Sequence, residues 1–203
     1  MPNGFYISRL MALGPEVCPA EVTFLPGCNV IAGASDTGKS YVLQCLNYMM
    51  GAKDPPKSVP EDAGYDTLRL EIRTWDDEPL VLQRSLKKGG HFRLYHMALA
   101  DVDESASSST LRWKHDPTRQ DTLSAFLLDL CGISSTVIQK TKSGKVRALS
   151  FRDICRFSIV DETSIISERS PLLPSGQLTK ATEEKSVFAF LVSGEDASSV
   201  VPP

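Results

Sequence analysis

A glycine-containing loop is the part of the sequence whose residue types and spacing could do chemistry. Residues 33–40 read GASDTGKS, which satisfies the pattern of glycine, four residues, glycine, lysine and serine. In such a loop the glycines let backbone N–H groups close around phosphate oxygens, and the following helix adds free N–H groups and the positive end of its dipole. The sequence therefore predicts a binding site for the phosphates of a nucleotide.

Individual loop residues have distinct predicted roles. The Lys39 ammonium would reach the β- and γ-phosphates, and the Ser40 hydroxyl would ligate Mg²⁺. The predicted nucleotide-contacting positions are Gly33, Ala34, Ser35, Asp36, Thr37, Gly38, Lys39, Ser40 and Tyr41.

The segments on both sides of the loop predict the elements that position it. Upstream, CNVIAG (28–33) is a short apolar run typical of a buried central strand. Downstream, a spacing of three and four predicts a helix that starts at Lys39, ends at Gly51 and buries Val42, Leu43, Leu46, Met49 and Met50. A strand, a loop and a helix in this order are the context that makes the short pattern credible.

The rest of the chain predicts an α/β fold. Residues 5–14 and 20–27 alternate apolar and polar side chains, as do three segments after the Pro-rich loop 52–64, which predicts a strand pair and then an antiparallel meander at 66–75, 79–86 and 91–99. Two further helices are predicted, one over 121–132 and one near the end with Val187, Phe188 and Leu191 on one face. We expect a P-loop NTPase lobe with a mixed sheet around the loop strand and an antiparallel β subdomain beside it. Within this single lobe, 1–203, the strands, loop and first helix occupy 1–51, the meander 65–100, and the remaining elements 120–203.

Composition restricts the function classes. The net charge of −3 gives no general attraction to nucleic acid, and the local basic run Arg84, Lys87 and Lys88 is typical of a solvated face. The five cysteines are widely spaced, and no CxxC pair is present. With no apolar run long enough to span a membrane, we expect a cytoplasmic protein with reduced thiols.

A second acidic motif would be needed by a compact nucleotide kinase or another self-contained NTPase. RFSIVDE (156–162) imitates it, because Asp161 and Glu162 follow an apolar run that could be a buried strand over 157–160. Arg156 and Ser158 interrupt that run, which weakens the match. A compact P-loop kinase or NTPase with these two acids on magnesium is one alternative, and a regulatory module that keeps the loop without turnover is another.

Three stretches carry a resemblance to a known family. They are NVIAGASDTGKSYVLQCLNYMMG (29–51), LRLEIRTWDDEPLVLQRSLKKGGHFRLY (68–95) and LSFRDICRFSIVDETSI (149–165). Together they resemble the N-terminal half of an ATPase head of the SMC, RecN and RecF type, within the ATP-binding-cassette class. The likeness is strongest to a bacterial branch of SMC-like ATPases, several of which are suspected to act in genome defence.

The resemblance implies roles for the two acids. FSIVDETSI (157–165) resembles the Q-loop of such heads, with Glu162 at the position where the family usually has a glutamine that contacts magnesium. A carboxylate there can also ligate magnesium but adds negative charge near the γ-phosphate. Asp161 is the second candidate for this position, and neither is a firm catalytic residue.

The resemblance also implies partners. LLPSGQLTK (172–180) looks like the family's signature segment, but it follows the acidic pair instead of preceding it, so we predict a turn before the last helix. A C-terminal lobe and a coiled-coil arm would complete the head, two heads would engage around ATP and Mg²⁺, and hydrolysis would release them and move the coiled-coil arms or a bound DNA. The chain alone would then hydrolyse ATP poorly. ATP is preferred over GTP on family likeness, since no NKxD motif occurs.

Overall fold

A computed structural model describes residues 3–35, 37–87, 89–103, 105–168, 170–173 and 175–199 and shows a mixed α/β protein. The chain divides into two compact units, Met1–Gly132 and Ile133–Pro203. None of the helices in the described ranges is both long and apolar enough to cross a membrane.

The first unit is built on a six-stranded antiparallel sheet with the strand order β2-β1-β3-β4-β5-β6. The predicted first strand and the meander are confirmed, with bounds that differ by a few residues. The strands are β1 (Phe5–Gly14), β2 (Val17–Thr23), β3 (Thr67–Thr74), β4 (Pro79–Ser85), β5 (Gly89–Tyr95) and β6 (Ser109–Leu111).

Alternating side chains make one face of this sheet a core. The strand registers align Leu10 with Leu70, Leu70 with Leu82, and Leu82 with Leu94, so that a leucine row crosses four strands. All of the row is buried. Since side chains of a strand point to opposite faces in turn, the alternation in the sequence places these residues together.

The described residues of the first unit include two α-helices. Helix α1 (Lys39–Met49) follows the glycine loop and contacts β3 and β4. Met49 and Met50 are buried as predicted, but Val42, Leu43 and Leu46 are only half-buried. Cys45 and Tyr48 are buried in their place, so the buried face is rotated from the predicted one. Helix α2 (Leu123–Leu130) begins after Thr122, whose hydroxyl accepts a hydrogen bond from the N–H of Ala125 at 3.1 Å.

The second unit combines a short hairpin with three helices. Strands β7 (Val137–Gln139) and β8 (Val146–Ala148) pair antiparallel, and helices α3 (Phe151–Ser158), α4 (Glu162–Ile165) and α5 (Ala181–Ser193) follow. The predicted apolar face of the last helix is wrong in part. Glu184, Val187 and Phe190 are buried, while Phe188 and Leu191 are exposed.

The central strand predicted immediately before the glycine loop is absent from the described residues. Residues 28–35 form no strand, and the side chains of Val30 and Ile31 are 84% and 46% exposed. Pairing with β1 ends after the N–H of Phe24 donates to the Ser8 carbonyl, and Asn29 then closes a turn by accepting from the Leu25 N–H and donating to the Leu25 carbonyl. The expectation of a mixed sheet around this strand is therefore corrected. The described sheet is antiparallel, and residues 28–33 pair with none of its strands.

Candidate phosphate-binding site

The junction between the glycine loop and helix α1 is set by Gly38. This residue is the N-cap of the helix and has a left-handed conformation, with φ 81°. An L-side chain rarely adopts such a φ, so glycine is required here. Within the part of the chain that the structure describes, no side chain caps the helix, and its first helical hydrogen bond runs from the Val42 N–H to the Gly38 carbonyl. The preceding N–H groups of the first turn therefore keep the donor capacity that an anion needs.

The Lys39 ammonium lies among the carbonyl oxygens of the loop. It donates to the Gly33 carbonyl at 2.8 Å, to the Thr37 hydroxyl at 3.1 Å, and to the Ala34 carbonyl. The Thr37 hydroxyl donates to the Ala34 carbonyl at 2.8 Å. A Cβ on Gly33 would stand only 2.8 Å from that hydroxyl, so the closed loop depends on glycine at this position. The loop and its lysine thus form one hydrogen-bonded unit beside the start of α1.

The next two positions differ in their surroundings. Ser40 is exposed, so its hydroxyl is free to reach a ligand in solvent. Tyr41 is half-buried, and its hydroxyl donates to Asp62 at 3.4 Å. Burial, aided by the neighbouring Cys45 and Asp62, raises the pKa of the Tyr41 phenol above its ordinary value. Tyr41 is therefore a neutral residue that joins α1 to the Pro-rich loop.

The predicted acids lie in the second unit, whereas the glycine loop lies in the first. Asp161 is the N-cap of α4 and accepts the Ser164 N–H at 2.8 Å; hydrogen bonds from Ser164 lower the pKa of its carboxyl below the ordinary value. Glu162 is exposed at the first position of α4. Their roles as magnesium ligands stay predictions, and within the described ranges no group of three or more His, Cys, Asp or Glu side chains could hold a metal ion.

The strand that the compact-kinase alternative requires over 157–160 is absent from the described residues. Residues 157 and 158 end α3, and Val160 is 43% exposed. The helix is favoured because Ser150 and Asp153 form a capping box at its start. The turn predicted around Ser175, Gly176 and Gln177 is confirmed, since the Gly176 N–H donates to the Leu173 carbonyl and a 3-10 turn, Leu178–Lys180, leads into α5.

Arg84 is a residue that sequence reasoning placed wrongly. Instead of a solvated face it is 2% exposed, and it donates to the carbonyls of Tyr48 at 2.8 Å and Ala52 at 2.7 Å at the end of α1. The alternation of side chains along β4 was the available signal, because Arg84 lies on the same face of the strand as the buried Leu80 and Leu82. Two further predicted positions, Asp36 in the loop and Lys88 in the basic run, lie outside the described residues.

Comparison with known proteins adds no family assignment. No protein-family model matches the chain, and no curated protein matches its sequence significantly.

Proposed function

We propose that this chain is the ATP-binding N-terminal lobe of an SMC-like ATPase. The observation that carries the proposal is the junction of the glycine loop with α1. A left-handed Gly38 precedes an uncapped helix N-terminus, and the Lys39 ammonium lies within the loop. Uncapped N–H groups, a helix dipole and a lysine in one place form a site suited to a polyphosphate.

The loop residues divide the work of holding Mg-ATP. Lys39 exchanges the Gly33 and Ala34 carbonyls for phosphate oxygens, which are stronger acceptors because they are charged. The exposed Ser40 hydroxyl supplies one oxygen ligand to Mg²⁺, a cation that keeps several waters and takes its remaining ligands from phosphates. Bound magnesium supplies charge neutralisation to the β- and γ-phosphates.

The segment before the loop supports completion by a partner. Leu25, Val30 and Ile31 are apolar and exposed, by 71%, 84% and 46%. A strand-like apolar run beside a binding site is the type of surface that an added strand covers, because main-chain hydrogen bonds and apolar burial then act together. We assign this surface to the C-terminal lobe of the head.

Hydrolysis in this proposal needs groups from that lobe and from a second head. Phosphoryl transfer to water requires an oriented nucleophile as well as a phosphate clamp. Asp161, the acid that could serve, is engaged as the cap of α4. ATP would hold two heads together and hydrolysis would release them from DNA, with exposed Arg93 and Lys87 of the meander suited to phosphate contacts that weaken in salt.

Direct nucleotide titration tests the proposal. We expect the wild-type chain to bind Mg-ATP in calorimetric titration and Lys39→Ala to lose at least ~10-fold in affinity, because a charge-assisted contact to the phosphates is removed. Lys142→Ala is the matched control, since this lysine is exposed and lies in the turn between β7 and β8.

Two outcomes would contradict the proposal. Absence of Mg-ATP binding by the wild type, or equal affinity of wild type and Lys39→Ala, removes the phosphate site. Brisk single-turnover hydrolysis by this chain alone would instead preserve the site and remove the need for a second lobe.

A further inference from the structure

We propose that Arg84 is the positioning residue of the phosphate site: it anchors the last turn of α1 to the meander and thereby fixes where the first turn presents its N–H groups. This inference rests on the proposed function, since it concerns the same nucleotide site. It assigns to a strand residue, remote from the glycine loop in sequence, a part in nucleotide affinity.

Arg84 contacts the end of the helix through two hydrogen bonds and a ring contact, and it also contacts β5. Its Nη1 donates to the Tyr48 and Ala52 carbonyls, at 2.8 and 2.7 Å, which are acceptors at the helix C-terminus. The guanidinium lies over the Tyr48 ring, with Cζ 3.7 Å from the ring centroid, and 4.8 Å from the centroid of Phe92 on β5. One side chain thus joins α1 to two strands of the sheet.

The buried charge of Arg84 is compensated without an acidic partner in the described residues. No Asp or Glu within the described ranges forms an ion pair with it, and its Nε is buried without a hydrogen bond there. The compensation for burying the cation comes from helix carbonyls at the negative end of the dipole and from two aromatic faces. A displacement of the helix end would remove that compensation from a buried charge, which is costly.

The first turns of α1 contact the Pro-rich loop, because the Tyr41 hydroxyl donates to Asp62 at 3.4 Å and the Lys57 N–H donates to the Gln44 side chain at 2.8 Å. Residues 28–35 lead into the glycine loop without forming a strand and are exposed, so they do not hold the loop against the sheet. Tyr48 adds a second contact at the last turn, because its hydroxyl donates to the Ser85 carbonyl at 2.7 Å. A helix of 11 residues with intact backbone hydrogen bonds transmits a shift at its last turn to its first.

Arg84→Met and Arg84→Lys test the role, with Arg69→Met as the matched control. Arg69 is another meander arginine with a backbone contact, donating to Gln83 at 2.8 Å and to the Val102 carbonyl at 2.9 Å, but these partners lie away from α1. We expect Arg84→Met to weaken Mg-ATP binding by ~10-fold or more, Arg84→Lys to be intermediate, and Arg69→Met to keep wild-type affinity. Affinities are measured well below the melting temperature of each variant.

The outcomes separate positioning from simple stabilisation. Melting temperatures that fall for both Arg84→Met and Arg69→Met, with affinity lost only in the former, support the proposal. Equal affinity of wild type and the Arg84 variants overturns it while leaving the phosphate site intact. Failure of the wild type to bind Mg-ATP overturns the proposed function itself and, with it, this inference.

A measurement on the wild type applies even where a variant does not fold. By reciprocity, nucleotide at the first turn must stabilise the anchor at the last turn. We expect saturating Mg-ATP to slow hydrogen exchange at the Met50, Gly51 and Ala52 amides, which bond to helix carbonyls, by at least ~5-fold. Protection confined to the glycine loop and the first turn overturns the proposal.

Discussion

The meander and the segment before the glycine loop both have sequence patterns typical of strands, but their structures differ. LRLEI (68–72) in the meander alternates apolar and charged residues, and CNVIAG (28–33) before the loop is a short, mostly apolar run. The first forms β3 with Leu68, Leu70 and Ile72 fully buried, whereas the second stays irregular and exposed. Either pattern therefore indicates the capacity to be a strand, and a neighbouring strand decides whether the segment becomes one.

The availability of a neighbouring strand edge for backbone hydrogen bonding explains this structural difference. β3 lies between β1 and β4 and uses both of its edges. The β1 edge that residues 28–33 could have extended is occupied by β2, and the chain leaves the ladder after Phe24. Since unpaired backbone groups remain satisfied only in water, a segment without a neighbour stays at the surface.

Shortening a side chain of the leucine row should give the largest loss of stability among these predictions. Leu82 is fully buried, and its register partners are Leu70 and Leu94. We expect Leu82→Ala to lower the free energy of unfolding by ~2–5 kcal/mol, since the truncation leaves a cavity in a packed core. Urea denaturation followed by tryptophan fluorescence reports the first unit specifically, because both tryptophans, Trp75 and Trp113, belong to it. A loss below ~1 kcal/mol would contradict the described packing.

The opposite face of the meander should show a pH-dependent effect of intermediate size. Glu71 is buried and accepts hydrogen bonds from the Leu99 N–H at 2.7 Å and the Ser8 hydroxyl at 2.6 Å. Burial alone would raise the pKa of this carboxyl, but these bonds and Arg73 more than offset it and hold the pKa below its ordinary value of 4.5. The carboxylate therefore stabilises the fold above pH 4.5, and this contribution is lost as the pH falls through the lower, folded-state pKa.

Glu71→Gln isolates that contribution. At neutral pH we expect the substitution to cost ~1.5–3 kcal/mol, the range of hydrogen bonds to a charged group, and we expect the difference from wild type to shrink in acid below the folded-state pKa. Urea midpoints at a series of pH values provide the measurement. A difference that is constant with pH would show that the carboxylate is not held as described.

Period-two alternation could be predicted from the sequence because the meander strands are neighbours along the chain and pair with one another. The start of the helix at Lys39 could be predicted equally well, since the preceding glycine and the spacing of apolar residues are local features of the sequence. Three features depended on tertiary context instead. They are the absence of strand pairing at residues 28–33, the burial of Arg84, and the choice of which residues of α1 and α5 are buried. Arg84 is the clearest case, because a basic residue beside Lys87 resembles a solvated surface until the carbonyls of Tyr48 and Ala52 provide its acceptors.

The smallest effect is expected in the segment before the loop. Val30→Ala removes an apolar group that is 84% exposed and Ile31→Ala one that is 46% exposed, so we expect each to change the free energy of unfolding of the isolated chain by less than ~0.5 kcal/mol. The same urea measurement as for Leu82→Ala gives the comparison directly. A loss above ~1 kcal/mol would place these side chains in a core of this chain and remove their availability to a second lobe. Neither substitution alters Lys39 or Gly38. Unchanged stability would show that the two apolar side chains form a surface that becomes buried only against a partner.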